Sequence, residues 1–449
     1  MKRTLIYRFA TVVGVATAFA VPESAADVRH LTLTEAVHLA VSQNREIKIA
    51  RLKVTENEQK KAGQRSAYFP SIRNESNILH VTDLQNISIP AGAFGSNAGS
   101  LVPSRNTILP QGQNTFYSSG TQLSQPLTQL IRIHDENRSA AADVAISRDD
   151  LKSAENQIAL KAHSLYYAML IAQLQKRAAE QQTLYSQEHL RESEDDIRRG
   201  SALNVAAIQD QASVLESQQA ELTAELQISD LTTELNDLMG LPLDTKLELD
   251  TAVSPDLDER PRDEYLKTAW SQNPDILAAE EAVKKAQAGV AAAKTAYIPD
   301  VTAYARQSYQ DGVPFFVRNF GTFGVNLSWD VFDAGKRRAA VRERQTQLSE
   351  AEENLTRLKE QVAVSIDRSY NKVERTKNMV AVAQQALNLR QESERLAQNQ
   401  LAQGIMLISN RRQATAATYK AQAEFLQANL GYYLAWAELQ ETVGLTPGF

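Results

Sequence analysis

The sequence predicts a mainly α protein made of two copies of one unit, helix–β-hairpin–long helix–helix, with its strands suited to a membrane. Three observations carry this reading: an internal repeat, two proline-free helical runs of unusual length, and a segment of strict apolar–polar alternation. Ala40-Val41-Ser42-Gln43-Asn44-Arg45-Glu46-Ile47 returns as Ala269-Trp270-Ser271-Gln272-Asn273-Pro274-Asp275-Ile276, and Tyr68-Phe69-Pro70 as Tyr297-Ile298-Pro299, both 229 residues on. Later landmarks recur 204 residues on: Gly120 with Gly324, Leu123 with Leu327, Tyr166 with Tyr370, Gly200 with Gly404, and Met239-Gly240-Leu241 with Val443-Gly444-Leu445. One change of offset places a single 25-residue insertion between Pro70 and Gly120.

Lys2, Arg3 and Arg8 precede an apolar run from Phe9 to Val21, and Ser24-Ala25-Ala26 follows. That is the form of a secretory signal peptide over 1–26. Its apolar run is shorter than the ~20 residues that a spanning helix needs. Helical periodicity then runs from 33 to about 69, with Thr34 before Glu35 as a start and Pro70 as a stop. The matching helix runs from about Asp263 to Tyr297, and Pro274 within it requires a bend or a restart.

After each proline the period changes. Phe323 to Val331 alternates without a break, Val301 to Arg306 more loosely, and Thr121 to Leu127 more weakly, as strands with one apolar and one polar face. Pro90 to Gln113, rich in Gly, Ser, Asn and Pro, reads as an exposed loop. Long helical runs follow, from about Ile133 to Arg199 and from about Lys336 to Gln403. At ~1.5 Å per residue each is about 100 Å long, stable only when packed along its length against other helices.

Gly200 and Gly404 end these runs. Arg198 and Arg199 complement the first helix end and Ser201 is placed to cap the next helix. A further helix follows each glycine, to Gly240 and Gly444. The expected organisation is therefore a first repeat over 27–240 (hairpin about 71–127), a linker over 241–260 and a second repeat over 261–449 (hairpin about 300–331), with two short helices stacked beside one long helix in each repeat.

Composition narrows the function. The charge of −6 becomes more negative once 1–26 are removed, and without Lys/Arg runs it argues against nucleic acid. With no cysteine there is no disulfide, thiolate site or lipidated N-terminus. His30, His38, His80, His134, His163 and His189 form no metal-ligand spacing, and the five methionines are unclustered. His134-Asp135-Glu136 are adjacent helix residues that point apart, and Gly92-Ala93-Phe94-Gly95 does not join a strand to a helix. No catalytic residue, cofactor or metal is expected.

Four strands cannot close a barrel, because edge N–H and C=O groups left in lipid cost several kcal/mol each. Several chains must pool strands, giving 8, 12 or 16 in all. Both ends of each hairpin join helices, so the helices leave on one side of the membrane.

The ordered set Asn44 with Glu46-Ile47, Ala67-Tyr68-Phe69-Pro70-Ser71-Ile72, Asn273-Pro274-Asp275-Ile276, Ala296-Tyr297-Ile298-Pro299 and Val331-Phe332-Asp333-Ala334-Gly335-Lys336-Arg337 resembles the outer-membrane efflux protein (TolC-like) family over essentially the whole mature chain. Gly200, Gly404, Gly240-Leu241-Pro242 and Gly444-Leu445 add to the resemblance. It implies a homotrimer with a 12-stranded transmembrane barrel in outer-membrane lipid, continued by an α-helical tunnel across the periplasm. It further implies docking to a periplasmic adaptor and an inner-membrane transporter, as the exit duct of a tripartite efflux pump. A type I protein secretion duct is the alternative within the family, and a periplasmic coiled coil without a pore is the alternative outside it.

The resemblance places the adaptor-docking tip at the turns of Gly200 and Gly404. The positions where relatives carry aromatic, basic and acidic gate residues hold Leu401, Met406, Asn410 and Gln413 here, and Ala206 after Gly200; Asp210, Arg411 and Arg412 lie nearby. The expectation is a periplasmic entrance that is looser, or differently locked, than an acidic ring.

Overall fold

The computed structural model describes residues 29–251, 257, 259–312 and 317–447; the expected signal segment lies outside them. The first half comprises β1 (Arg29–Leu31), α1 (Leu33–Gln43), α2 (Arg45–Ser66), β2 (Ser71–His80), β3 (Asn86–Ile89), β4 (Ser96–Asn97), β5 (Ser100–Leu101), β6 (Thr107–Pro110), β7 (Thr115–Pro126), α3 (Leu130–Arg198) and α4 (Asn204–Met239). The rest comprises β8 (Leu247–Leu249), α5 (Arg262–Gln272), α6 (Pro274–Lys294), β9 (Asp300–Asp311), β10 (Asn319–Ser328), α7 (Lys336–Ala402) and α8 (Ile408–Val443).

The single helix expected over 33 to about 69 is two helices, and it starts on Thr32 rather than Thr34. Thr32 is extended and its Oγ1 accepts from the Glu35 N–H at 3.2 Å. Asn44 breaks the run: its backbone leaves the helical region (φ −59°, ψ 137°), and its Oδ1 caps α2 by accepting from the Glu46 N–H at 2.8 Å. Its Nδ2 donates to the Leu238 carbonyl at 3.2 Å.

Asn273 does the same in the second copy. Its Oδ1 accepts from Asp275 and Ile276 at 3.0 and 3.1 Å, and its Nδ2 donates to the Thr442 carbonyl at 2.9 Å. Pro274 then opens α6, where a missing N–H costs nothing. Leu238 and Thr442 lie in the last turns of α4 and α8, whose carbonyls lack partners in their own helix. Each asparagine therefore stitches the end of one helix to the start of another.

The result is two columns of stacked helices, each beside one continuous rod. α1, α2 and α4 (11, 22 and 36 residues) together match α3 at 69. α5, α6 and α8 (11, 21 and 36 residues) likewise match α7 at 67. α3 packs against α2 and α4 on one side and α6 and α8 on the other, and α7 completes the layer against α6 and α8. The helices thus run α2–α3–α6–α7 near the strands and α4–α3–α8–α7 farther away.

One core lies where α1, α3, α4 and the parallel pair β1–β8 meet, with Tyr166, Met169, Leu235 and Met239 almost wholly buried. The Tyr166 hydroxyl lies 2.9 Å from the Leu31 carbonyl and 2.8 Å from that of Asp250, tying the small sheet to α3. A second core gathers Tyr265, Ile366, Trp436 and Leu439 from α5, α7 and α8. β8 lies in the stretch expected to be a plain linker; a three-residue strand is too short to show a period.

The four long strands form one antiparallel sheet, β10-β9-β7-β2, in which the β7–β9 pairing joins the two halves. Register aligns Arg73, Gln122, Arg306 and Thr322 in one row and Ile72, Leu123, Ala305 and Phe323 in the next. Successive rows point to opposite faces, so one face carries charge and the other an apolar row. The Arg306 guanidinium lies over Gly120, where a Cβ would meet Nη2 at 2.8 Å. The expected strand to Val331 stops at Ser328, because the carboxylate of Asp333 turns the chain into α7 by accepting from the N–H groups of Gly335 and Arg337, both at 3.0 Å. The segment expected to be a loop at 90–113 carries the short pair β4 with β5, and its β6 pairs with β3 just before it.

Both layers end on unpaired edges. Among the described residues, β2 and β10 each have a neighbour on one side only. α2 leads into β2 and β10 into α7, so the free edges of sheet and helix layer fall on the same two sides.

Candidate functional site

The turns of Gly200 and Gly404 form the end of the helix layer opposite the sheet, and both fold in the same way. Gly200 takes φ +79° and Gly404 φ +72°. The N–H groups of Ser201 and Gly200 donate back to Asp196 and Ile197, each at 2.9 Å; those of Ile405 and Gly404 donate to Gln400 and Leu401, each at 3.0 Å. These paired bonds make each turn a Schellman motif, which requires the left-handed residue that glycine supplies. Nothing lies within 4 Å of where either Cβ would be, so the demand is on the backbone alone.

Ser201 does not cap α4 as expected. Its hydroxyl turns back to the Asp196 carbonyl at 2.9 Å, and Leu203 takes the cap position with no side-chain bond. Leu407 does the same for α8. Both turns therefore present leucine where a polar cap would stabilise the helix, and Leu203, Val205, Ile405 and Leu407 are exposed around them.

The gate candidates separate into three groups. Asp210, half-buried, is engaged within the chain: Ser193 Oγ donates to its Oδ2 and His189 Nδ1 lies 3.0 Å from its Oδ1, linking α3 to α4. Asn410 and Gln413 are exposed on α8. Ala206, Leu401, Met406, Arg411 and Arg412 are half-buried, and the Arg411 Nε is buried without a hydrogen-bond acceptor among the described residues.

Sequence reasoning missed three carboxylate and histidine contacts that set this end of the layer. Glu192 on α3 accepts from the Ser409 N–H at 2.9 Å, stabilising the start of α8. Glu394 on α7 accepts from Thr415 Oγ1 at 2.8 Å. His189 holds Asp210. Only the relative register of α3, α4, α7 and α8 reveals these pairs.

Among the described residues no His, Asp or Glu cluster is arranged to hold a metal ion. Among them too, no helix is long and apolar enough to cross a membrane.

Residues 265–445 match the family model described as outer membrane efflux protein. No protein of curated function matches the sequence. Solved structures similar to the fold include the CmeC outer membrane channel of Campylobacter jejuni, at 16% identity and TM-score 0.75, covering 93% of this chain and 86% of that one. The outer membrane protein VceC of Vibrio cholerae shares 13% identity at TM-score 0.70, covering 92% of this chain and 96% of that one. The MtrE outer membrane channel of Neisseria gonorrhoeae, in its open state, shares 17% identity at TM-score 0.66, covering 92% and 89%.

Proposed function

Because residues 265–445 match the outer membrane efflux protein family and more than nine-tenths of the chain shares its fold with outer-membrane channels, we propose that it is the outer-membrane exit duct of a tripartite efflux pump. The observation that carries this reading is the pair of open edges shared by the sheet and the helix layer. An open four-stranded sheet is not viable in lipid, and only lateral pairing of β2 with β10 of another copy satisfies its edge groups.

Three copies give twelve strands, with the row of Arg73, Gln122, Arg306 and Thr322 facing a wet lumen and the row of Ile72, Leu123, Ala305 and Phe323 facing lipid. The helix layers close below into a tube about 100 Å long, the length of α3. Substrate enters at the glycine turns and leaves through the barrel, and the duct does no chemistry on it.

A periplasmic adaptor docks on the exposed leucines of the two turns, connecting the tube to an inner-membrane transporter. Apolar residues at cap positions favour this, because they weaken the helix starts and suit a contact surface. In this reading the entrance is lined by the uncharged Asn410 and Gln413 with Arg411 and Arg412 beside them, while Asp210 braces α3 against α4.

The test is the mass of the particle extracted from outer membranes in mild detergent. Three chains per particle are expected. A monomer that stays soluble without detergent refutes the duct.

A further inference from the structure

At the sheet-side end of the helix layer, one hollow is lined by all four helices, through Gly63 on α2, Ser139 on α3, Ala292 on α6 and Ala340 on α7. α2 and α7 are the outer members of the run α2–α3–α6–α7, so a hollow that touches both lies on the concave side of the layer. The carboxylates at this height, Asp135, Glu136, Asp143 and Glu343, line that hollow.

The convex side is charged the other way. Lys61 and Arg65 each stand two residues from Gly63, Lys294 two from Ala292, and Arg338 and Arg342 two from Ala340. Two residues are about 200° of an α-helix, so all five point away from the hollow. All five are exposed, and among the described residues none makes an ion pair or a side-chain hydrogen bond. Residues 60–66, 288–294 and 336–342 contain no Asp or Glu, in a chain whose net charge is −6. The cations are therefore gathered on this face against the trend of the whole chain.

Their height is equally narrow. Lys61 and Arg65 are in the last turns of α2, Lys294 ends α6, and Arg338 and Arg342 are in the first two turns of α7. At ~1.5 Å per residue the five occupy a band about 9 Å deep. Between this band and the apolar row of the sheet stand Phe69, Ile298, Trp329 and Phe332, all exposed. Apolar, then aromatic, then basic is the order met on passing from hydrocarbon through headgroups to water.

We infer that the convex face beneath the barrel is a collar that binds the headgroups of anionic phospholipids in the periplasm-facing leaflet. The inference rests on the duct proposed above and names the lipid class that the duct selects. Five cations from each copy ring the tube at one depth, and their long stems lie along the apolar belt while the charged ends reach the phosphates. The belt favours lipid over an acidic protein as the partner, because it fixes the cations at headgroup depth.

The probe is phosphatidylglycerol with a spin-labelled chain, compared with phosphatidylcholine carrying the same chain, on the purified particle in neutral-lipid bilayers. In the parent the anionic lipid is expected to be immobilised at least ~5-fold more strongly than the neutral one, about the factor that one Lys or Arg supplies near a charged leaflet. Lys61→Gln, Arg65→Gln, Lys294→Gln, Arg338→Gln and Arg342→Gln together should bring the two lipids to parity. Salt at ~1 M should do the same to the parent, because the screening length falls to about 3 Å. Arg338→Gln with Arg342→Gln alone should lower the preference, which keeps the test open where the fivefold variant does not assemble. Lys60→Gln with Arg344→Gln, on the hollow, should leave it unchanged. A three-chain membrane particle that does not distinguish the two lipids, or that loses the preference as fully with the hollow-side pair, overturns the collar and leaves the duct standing. A single chain that stays soluble without detergent overturns both.

Discussion

Replacing Asn273 by alanine tests the stitching of the helix columns. The change removes the cap on two N–H groups of α6, worth about 1 kcal/mol, and strands the Thr442 carbonyl at the end of α8. The lost bond and the desolvated carbonyl add about 1–3 kcal/mol, because Asn273 is only 5% exposed and water has little access. The expected loss is therefore about 2–4 kcal/mol. Asn273→Asp keeps the capping oxygen and loses only the donor, so it should fall between alanine and the parent. Asn44→Ala removes one cap bond and one longer bond at a less buried site, and should cost about 1–2 kcal/mol. The assay is loss of helical circular dichroism on heating and in urea, with all three variants in one detergent. If Asn273→Ala unfolds within about 0.5 kcal/mol of the parent, the range of an ordinary surface change, or if Asn44→Ala costs more, the stitching account is refuted.

Four further outcomes follow from the same geometry. Gly444→Ala should destabilise far more than Gly200→Ala in thermal melts: both have positive φ, but a Cβ at Gly444 would lie 2.5 Å from Asn273 Cα whereas the space at Gly200 is open. The expected costs are about 3 kcal/mol and about 1 kcal/mol respectively. Tyr166→Phe should cost about 1–2 kcal/mol and leave the β1–β8 pair more open to amide hydrogen exchange, since its hydroxyl bonds the carbonyls that hold that sheet. Burial first, then the charges of Glu281 and Asp150, push the Asp149 carboxyl up to about 6 against the pull of Lys284. An acid whose folded pKa is raised carries no penalty below its unfolded value and a growing one as pH climbs to 6, so Asp149→Asn should melt higher than the parent at pH 7.5 and equal it near pH 3.5. Asn410→Ala with Gln413→Ala should raise single-channel conductance in planar bilayers; an unchanged conductance removes both from the constriction.

How far the fold can be read depends on the distance over which each feature is decided. The repeat, the long rods and the glycine turns are local, and periodicity with one glycine per turn is enough to find them. Asn44 and Asn273 are visible as repeated letters, but their work is not: the carbonyls they bind lie 194 and 169 residues away along the chain. The same limit hides the contacts of Glu192 with Ser409 and of His189 with Asp210, which depend on how far one helix has slid along another. Ser201 misleads for a different reason. Its hydroxyl has two backbone targets within one turn, and the Schellman geometry brings the Asp196 carbonyl nearer than the start of α4. Among the site residues, the two glycines can be read with their conformation. The gate positions can be read only as places in a sequence, because what lines an entrance is fixed by helix rotation and by neighbouring copies.

Viewed mechanically, the helix layer alternates two kinds of strut. α3 and α7 are unbroken, while the columns between them are jointed at Asn44 and Asn273, at matched places in the repeat. In the three-copy duct proposed above, every joint falls on a single circumference and every second strut crosses it uncut. Such a wall resists stretching along its axis through the uncut struts and yields to torsion at the ring of joints. A twist applied by a partner at the glycine turns would thus be absorbed at that ring, and the barrel beyond it would stay still in the lipid.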